Sequence, residues 1–205
     1  MTRIKICGLT RAEDLEAALD AGADAVGFNF VTGTPRALEL GRARELSGLA
    51  RGRALRVGVF RDAPRETIGK IAQSAELDAI QLHGSESPEL ALALELPVIK
   101  ALPGGAGLAE HAARYPELEL LIDHPSGRGG SGESWDFDGV RELVRAGRRI
   151  WLAGGLHPGN VARAIERVRP DGVDVASGVE SAPGIKDPEA IRCFVARVRA
   201  TLRDA

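Results

Sequence analysis

Short apolar runs alternate with amphipathic stretches along the whole chain, and this alternation restricts the fold more than any other feature. The runs are rich in valine, isoleucine, leucine and phenylalanine, as the strands of a buried parallel sheet are. They predict strands over residues 3–7, 25–30, 54–60, 79–82, 97–101, 118–123, 149–153 and 172–176. Eight strands that alternate with helices about every 25 residues indicate an α/β protein. It is either a closed (β/α)8 TIM barrel or an open doubly wound sheet.

Two observations favour the closed barrel. Strand alternation places Lys5 and Cys7 on one face of the first strand, which suits a barrel interior near its mouth. Glycine-rich signals also follow the seventh and eighth strands and not the first. Because no low-complexity linker divides the chain, we expect one (β/α)8 barrel domain over residues 1–205.

The predicted helices carry recognisable start and stop signals. Thr10 and Glu13 have capping-box spacing for a first helix, and Gly22 is placed to end it. Pro158 is expected in the first turn of the seventh helix. Asp187 is expected to cap the last helix, which should run to about residue 203.

Composition excludes several classes of protein. The net charge of −2 is unlike that of a nucleic-acid-binding domain, and no apolar run is long enough for a membrane helix. No apolar signal segment opens the chain, so we expect a cytoplasmic protein. The two cysteines and four histidines have no metal-ligand spacing, so we expect no metal ion.

Polar and small residues collect where the predicted strands end. In a barrel, the active site lies at these carboxyl ends. The residues concerned are Cys7, Arg36, His83, Asp123, Gly154, Gly155, Ser177 and Gly178. The sequence therefore predicts a site at this end of the barrel.

The two late glycine loops are the strongest chemical signal. Glycines at 154, 155 and 178 let backbone N–H groups approach an anion, and barrels often bind phosphate after strands seven and eight. Such glycines also occur in plain tight turns. Two of these loops in adjacent units favour a phosphate site.

Four side chains have both a chemical and a structural interpretation. Asp123 is either a turn cap or an acid in a partly desolvated mouth. Cys7 is either a small buried hydrophobe or a base, with Lys5 as a source of positive charge. Arg36 can hold a carboxylate or lie on the surface. His83 can line the site or serve the structure.

Taken in order, these motifs resemble the phosphoribosylanthranilate isomerase family of tryptophan biosynthesis. The matching segments are Lys5-Ile6-Cys7-Gly8-Leu9-Thr10, Gly27-Phe28 with Phe30, Pro35-Arg36, Gln81-Leu82-His83-Gly84, Asp123 with Gly129-Gly130-Ser131-Gly132, Leu152-Ala153-Gly154-Gly155-Leu156, Val173-Asp174-Val175 with Ser177-Gly178-Val179-Glu180, and Gly184 with Lys186-Asp187. The ordered set runs over nearly the whole chain and is highly specific.

The resemblance implies a cofactor-free Amadori rearrangement of N-(5′-phosphoribosyl)anthranilate to the 1-deoxyribulose 5-phosphate product, catalysed by a monomer or a homodimer. It implies that Asp123 is the general acid and Cys7 the general base. Further implied contacts with the phosphorylated substrate come from Arg36, His83, Asp174 and Gly130, and implied phosphate contacts come from Gly154, Gly155, Ser177 and Gly178.

The chain departs from the family pattern at three positions, and two other functions compete. Ala176, Thr34 and Asn29 stand where the family usually has Ser, Ser and an apolar residue. One rival is the histidine-pathway isomerase, which performs the same rearrangement with Asp at the position of Cys7. The other is a non-catalytic sensor of phosphorylated ligands. The presence of both Cys7 and Asp123 disfavours the two rivals.

Overall fold

Every predicted strand forms, and each pairs in parallel with its neighbours in the sequence. The computed structural model describes residues 1–124 and 137–201. The strands are β1 (Arg3–Cys7), β2 (Ala25–Asn29), β3 (Leu55–Phe60), β4 (Ala79–Leu82), β5 (Val98–Pro103), β6 (Glu119–Asp123), β7 (Ile150–Leu152) and β8 (Gly172–Val175). Because β1 also pairs with β8, the sheet closes into a barrel and is not the open alternative.

Helices alternate with the strands and cover the outside of the barrel. They are α1 (Ala12–Ala21), α2 (Leu40–Ala50), α3 (Arg65–Ser74), α4 (Pro88–Leu92), α5 (Leu108–Ala113), α6 (Asp138–Arg145), α7 (Val161–Val168) and α8 (Pro188–Thr201). None of the helices found in the described residues is long and apolar enough to cross a membrane. The TIM-barrel prediction is thus confirmed.

The hydrophobic core has two parts. The larger part lies between the sheet and the helices. The smaller part fills the barrel itself and consists of Ala25, Val57, Ala79, Ile99, Ala101, Leu121, Trp151 and Ala153. Alanines on several strands make room for Trp151, whose indole nitrogen donates to Oε2 of Glu119 (2.7 Å). Glu119 and Gly172, which both contact Trp151, are the first residues of β6 and β8. Trp151 therefore fills the barrel at the end opposite the predicted site.

Two of the predicted helix starts are wrong. Helix α1 begins after Arg11, and its first turn has no side-chain cap. The Thr10 hydroxyl donates instead to the carbonyl of Gly184 (2.7 Å), which lies far along the chain. Pro158 lies before α7, which begins at Val161.

The other two signals act as predicted. Gly22 ends α1 with a φ of 91°. Asp187 accepts backbone hydrogen bonds from Glu189 (2.8 Å) and Ala190 (3.3 Å) at the start of α8.

A small hairpin after β8 was not predicted. It follows a 3₁₀ turn at Ser177–Val179 and consists of antiparallel β9 (Glu180–Ala182) and β10 (Ile185–Lys186). The backbone N–H of Lys186 donates to Oδ2 of the buried Asp14 in α1 (3.1 Å). Together with the bond from Thr10, this contact fastens the hairpin to the first βα unit.

Candidate active site

The predicted site residues meet in one cavity at the carboxyl ends of the strands. The cavity has a volume of about 290 Å³. Its lining includes Cys7, Arg36, His83, Asp123, Gly154, Gly155, Asp174, Ser177 and Gly178. Gly130, the remaining predicted contact, lies outside the described residues. One end of the barrel therefore combines a thiol, a carboxyl group, a guanidinium group and two glycine loops.

Cys7 ends β1 directly beside Gly27 of β2. A Cβ atom at Gly27 would lie 2.7 Å from the sulfur of Cys7, so only glycine leaves room for this thiol. Below it, the Nζ of Lys5 donates to Oδ1 of Asp174 (2.8 Å). Burial acts against the charge of Lys5, but the carboxylate of Asp174 and the neighbouring Cys7 raise the lysine pKa to about 12. Lys5 is therefore a permanent cation.

The positive charges near Cys7 are not sufficient to lower the pKa of its thiol below the ordinary value. Burial raises the pKa of the Cys7 thiol, and the ammonium groups of Lys5 and Lys186 only partly offset that rise. The expected lowering by Lys5 is present, but burial outweighs it. The thiolate is thus the minor form at neutral pH.

Asp123 ends β6 in a hydrogen-bonded chain that begins inside the barrel. The amide nitrogen of Gln81 lies 2.9 Å from Nδ1 of His83, and Nε2 of His83 lies 3.2 Å from Oδ2 of Asp123. With Gln81 donating, the other ring nitrogen of His83 carries the proton and donates to Asp123. The backbone N–H of His124 donates to Oδ1 (2.8 Å), which fixes the orientation of the carboxyl group.

Gln81 is a residue of the site that sequence reasoning left without a role. Its side chain is almost fully buried, and the strand around it is otherwise apolar. A buried amide requires hydrogen-bond partners. That polar residue in an apolar strand was the signal that could have identified it.

Arg36 lies across the backbone of the first loop. Gly8 has a φ of +72°, and a Cβ atom there would lie 2.3 Å from Cδ of Arg36. The guanidinium donates through Nε and Nη2 to the two carboxylate oxygens of Glu180, over 2.7 and 2.6 Å. The surface interpretation of Arg36 is therefore wrong, because its side chain is partly buried in a bidentate ion pair.

Two of the departures from the family pattern occur together in the loop before Arg36. The amide nitrogen of Asn29 donates to the hydroxyl of Thr34 (3.2 Å), and its Oδ1 accepts from the backbone of Val31 (2.8 Å). Asn29 and Thr34 thus shape the loop that carries Arg36.

The two glycine loops lie side by side, and their backbones pass too close for side chains. A Cβ atom at Gly154 would lie 2.2 Å from the backbone nitrogen of His124, and one at Gly178 would lie 1.8 Å from the carbonyl oxygen of Leu156. Gly155 has a φ of +73°. Backbone at this spacing can approach an anion closely.

Helix α7 does not follow the glycines directly. A turn separates Gly155 from its first residue, Val161. The amide of Asn160 spans that turn, because Nδ2 donates to the carbonyl of Gly155 (2.9 Å) and Oδ1 accepts from His157 (2.8 Å).

Comparison with known proteins supports one family throughout. The family model of N-(5′-phosphoribosyl)anthranilate (PRA) isomerase matches residues 4–197. An N-(5′-phosphoribosyl)anthranilate isomerase from Halorhodospira halophila is 44% identical over 202 residues, covering 96% of each chain. The crystal structure of phosphoribosyl anthranilate isomerase from Thermotoga maritima superposes with a TM-score of 0.92 at 39% identity, over 98% of this chain and 100% of the other.

A further solved structure carries a ligand. It is a phosphoribosyl anthranilate isomerase in complex with reduced 1-(o-carboxyphenylamino)-1-deoxyribulose 5-phosphate, with a TM-score of 0.90 and 37% identity over 98% of this chain and 100% of that one. Because the similarity extends over nearly the full length in sequence and in structure, it decides against the histidine-pathway rival. The chain belongs to the N-(5′-phosphoribosyl)anthranilate isomerase family.

Proposed function

We propose that the cavity at the carboxyl ends of the strands carries out this isomerisation, with Asp123 as general acid and Cys7 as general base. The chain is an isomerase of N-(5′-phosphoribosyl)anthranilate in tryptophan biosynthesis. The observation that carries the assignment of roles is that both side chains line one cavity. They enter it from β1 and β6, which β7 and β8 separate.

The reaction divides into a proton transfer from Asp123, a proton transfer to Cys7 and a final tautomerisation. Asp123 gives a proton to the ring oxygen of the ribose, the bond from that oxygen to C1′ breaks, and the nitrogen lone pair forms a protonated Schiff base. The Cys7 thiolate then takes the proton from C2′, and the released electron pair returns to nitrogen through a new C1′–C2′ double bond. The enolamine gains a proton at C1′ and loses one from its hydroxyl group, which leaves the ketone. Each proton-transfer group contributes about 10²–10⁴-fold.

Binding uses the remaining groups of the cavity. Arg36 is a forked donor suited to the carboxylate of the anthranilate ring. The backbone at Gly154, Gly155, Ser177 and Gly178 is suited to the phosphate. We further propose that Asp174 faces the ribose hydroxyls. His83 and Gly130 are the remaining proposed contacts with the substrate.

The chemistry needs no cofactor in this proposal. An aldose–ketose isomerisation moves hydrogen within one molecule, so no electrons enter or leave. We also propose that residues 1–205 act as one domain, as a monomer or a homodimer. Phosphorylated sugars do not diffuse through membranes, so we expect the enzyme in the cytoplasm, where such intermediates are made.

The first prediction tests the two proton-transfer roles. We expect Cys7→Ala and Asp123→Asn each to lower kcat by more than about 100-fold, because each removes one proton-transfer group. The assay follows the anthranilate fluorescence of the substrate during turnover. Circular dichroism checks that the variants fold, and Cys193→Ala, in an exposed cysteine of α8, is the matched control. Near-normal turnover by either site variant would reject its role.

A further inference from the structure

Glu180, in the hairpin after β8, accepts hydrogen bonds from two cations. Its Oε1 accepts from Nε of Arg36 (2.7 Å) and from Nζ of Lys186 (2.8 Å), and its Oε2 accepts from Nη2 of Arg36 (2.6 Å). The side chains of Glu180 and Lys186 are 5% and 0% exposed. We call these three residues the charge bridge. With two cations and one carboxylate, the charge bridge has a net charge of +1.

The backbone around the charge bridge is fixed. Lys186 also donates from Nζ to the carbonyl of Ala176 (3.0 Å), at the end of β8. Gly184, at the tip of the hairpin, has a φ of +79°, and a Cβ atom there would lie 2.5 Å from the carbonyl oxygen of Pro35. The hairpin thus packs directly on the segment that carries Arg36. Three hydrogen bonds from Arg36 and Lys186 hold the carboxylate of Glu180 against this backbone.

This arrangement determines what Arg36 can offer a ligand. A guanidinium group has five N–H donors in a rigid fork, and Glu180 takes one from Nε and one from Nη2. The donors left on Nη1 and Nη2 belong to a side chain that lines the cavity. An incoming carboxylate would meet a guanidinium whose rotation is already prevented, and it would neutralise the remaining positive charge. Less conformational entropy is then lost on binding.

We propose that Glu180 is a positioning residue that orients Arg36 for the aromatic carboxylate of the substrate, and that Lys186 holds Glu180 in place and keeps the bridge positive. The inference rests on the proposed contact between Arg36 and that carboxylate. It adds a determinant of specificity in the hairpin between β8 and α8. It predicts that Glu180 matters only for ligands that have the carboxylate.

The test compares two ligands by isothermal titration calorimetry. One is reduced 1-(o-carboxyphenylamino)-1-deoxyribulose 5-phosphate, and the other is the same compound without its carboxyl group. We expect Glu180→Gln to raise the Kd of the carboxylated ligand at least tenfold and that of the other ligand less than twofold. In turnover, KM should rise while kcat stays within threefold of the unmodified enzyme. A purely structural role would not separate the two ligands.

The matched control removes a similar ion pair at the other end of the barrel. Asp78 binds Nε and Nη2 of Arg56 (2.8 and 2.7 Å) just before β4. Asp78→Asn should leave the affinity for both ligands unchanged. If Glu180→Gln does not fold, Glu180→Asp keeps the charge but withdraws the carboxylate by one methylene group. It should weaken binding of the carboxylated ligand alone.

Arg36→Met separates failure of the inference from failure of the proposed function. If Arg36→Met loses affinity only for the carboxylated ligand while Glu180→Gln does not, the inference is overturned and the role of Arg36 stands. If Arg36→Met affects neither ligand or both equally, the proposed role of Arg36 fails and the inference fails with it. Equal losses of both ligands in Glu180→Gln alone would also overturn the inference.

Discussion

Cys7 has two ammonium groups, the guanidinium of Arg36 and one carboxylate among its charged neighbours, yet the pKa of its thiol lies above its usual value. Burial raises that pKa most, and Asp174 adds to the rise, while Lys5 and Lys186 oppose it. At the scale of the residue, loss of solvent around the thiol therefore changes its pKa more than the neighbouring positive charges do. A general base of this kind works through its minor, deprotonated form.

This balance predicts how the reactivity of Cys7 varies with pH. Only the thiolate is alkylated, so below a raised pKa the rate with iodoacetamide should increase about tenfold per pH unit. Because burial raises the pKa of the thiol above its ordinary value, the increase should continue into the alkaline range. The measurement uses Cys193→Ser, so that the reagent modifies Cys7 alone. A plateau that begins below pH 8 would contradict the raised pKa.

Strands β7 and β8 meet at a contact that only a glycine permits. A Cβ atom at Gly172 would lie 2.3 Å from Cε3 of Trp151. Trp151 also contacts the guanidinium of Arg3, 4.5 Å from the ring centroid, and donates a hydrogen bond to the carboxylate of Glu119. At the scale of the element, Trp151 of β7 can pair with this position of β8 because the residue there is a glycine.

The contact leads to a prediction about stability without a change in chemistry. Gly172→Ala should lower the free energy of unfolding by about 1–3 kcal/mol, since the core around Trp151 has no space for a methyl group. Gly48→Ala is the matched control, because nothing lies within 4 Å of a Cβ atom there in α2. That control should stabilise by about 0.5–1 kcal/mol. Urea unfolding at neutral pH measures both, and equal effects would contradict the account.

The strands were predictable to within one or two residues because each is a short, mostly apolar run between helical stretches. The β9–β10 hairpin was not, because strands of three and two residues with mostly exposed side chains leave no periodic signal. The site residues could be predicted because they lie where the strands end. The partners of Arg36 and His83 could not be predicted, because the sequence does not show which distant side chains meet. Glu180 has its role through a contact with Arg36, 144 residues away in the chain. Gln81 has its role because its amide is buried beside His83.

At the scale of the whole molecule, a third buried ion pair connects the loops next to the site. Lys100 of β5 donates to Oε2 of Glu86 (2.9 Å) and to the carbonyls of Leu82 and Gly84 (3.3 and 2.7 Å). Burial works to raise the pKa of Glu86, but the hydrogen bonds from Lys100 and from the backbone of Asp62 hold it below its usual value of 4.5. The loop that carries His83 is thus fixed by a charged group beneath it.

The lowered pKa makes folding sensitive to acid. The folded state binds fewer protons at Glu86 than the unfolded chain, so this contribution is complete above about pH 4.5 and is lost as the pH falls through the folded pKa. Glu86→Gln should cost about 3 kcal/mol or more at pH 7, because Lys100 stays buried without its carboxylate. It should also reduce the further loss of stability between pH 7 and pH 3.

Urea unfolding at the two pH values measures both effects. Glu110→Gln, in an exposed glutamate of α5, controls for the loss of a carboxylate. Curves for the Glu86→Gln variant and the unmodified protein that stay parallel from pH 7 to pH 3 would contradict the assignment.

The surroundings of Cys7 come from opposite ends of the chain. Lys5 pairs with Asp174, Thr10 with Gly184, and Asp14 with the backbone of Lys186, at separations of 169 to 174 residues. Closing loops of that length is among the slowest steps open to a chain. The surroundings of Cys7 therefore come into existence only when β8 closes on β1. During refolding, activity would therefore recover no earlier than the closure of β8 on β1, and a nascent chain would stay inactive until β8 and the hairpin after it had left the ribosome.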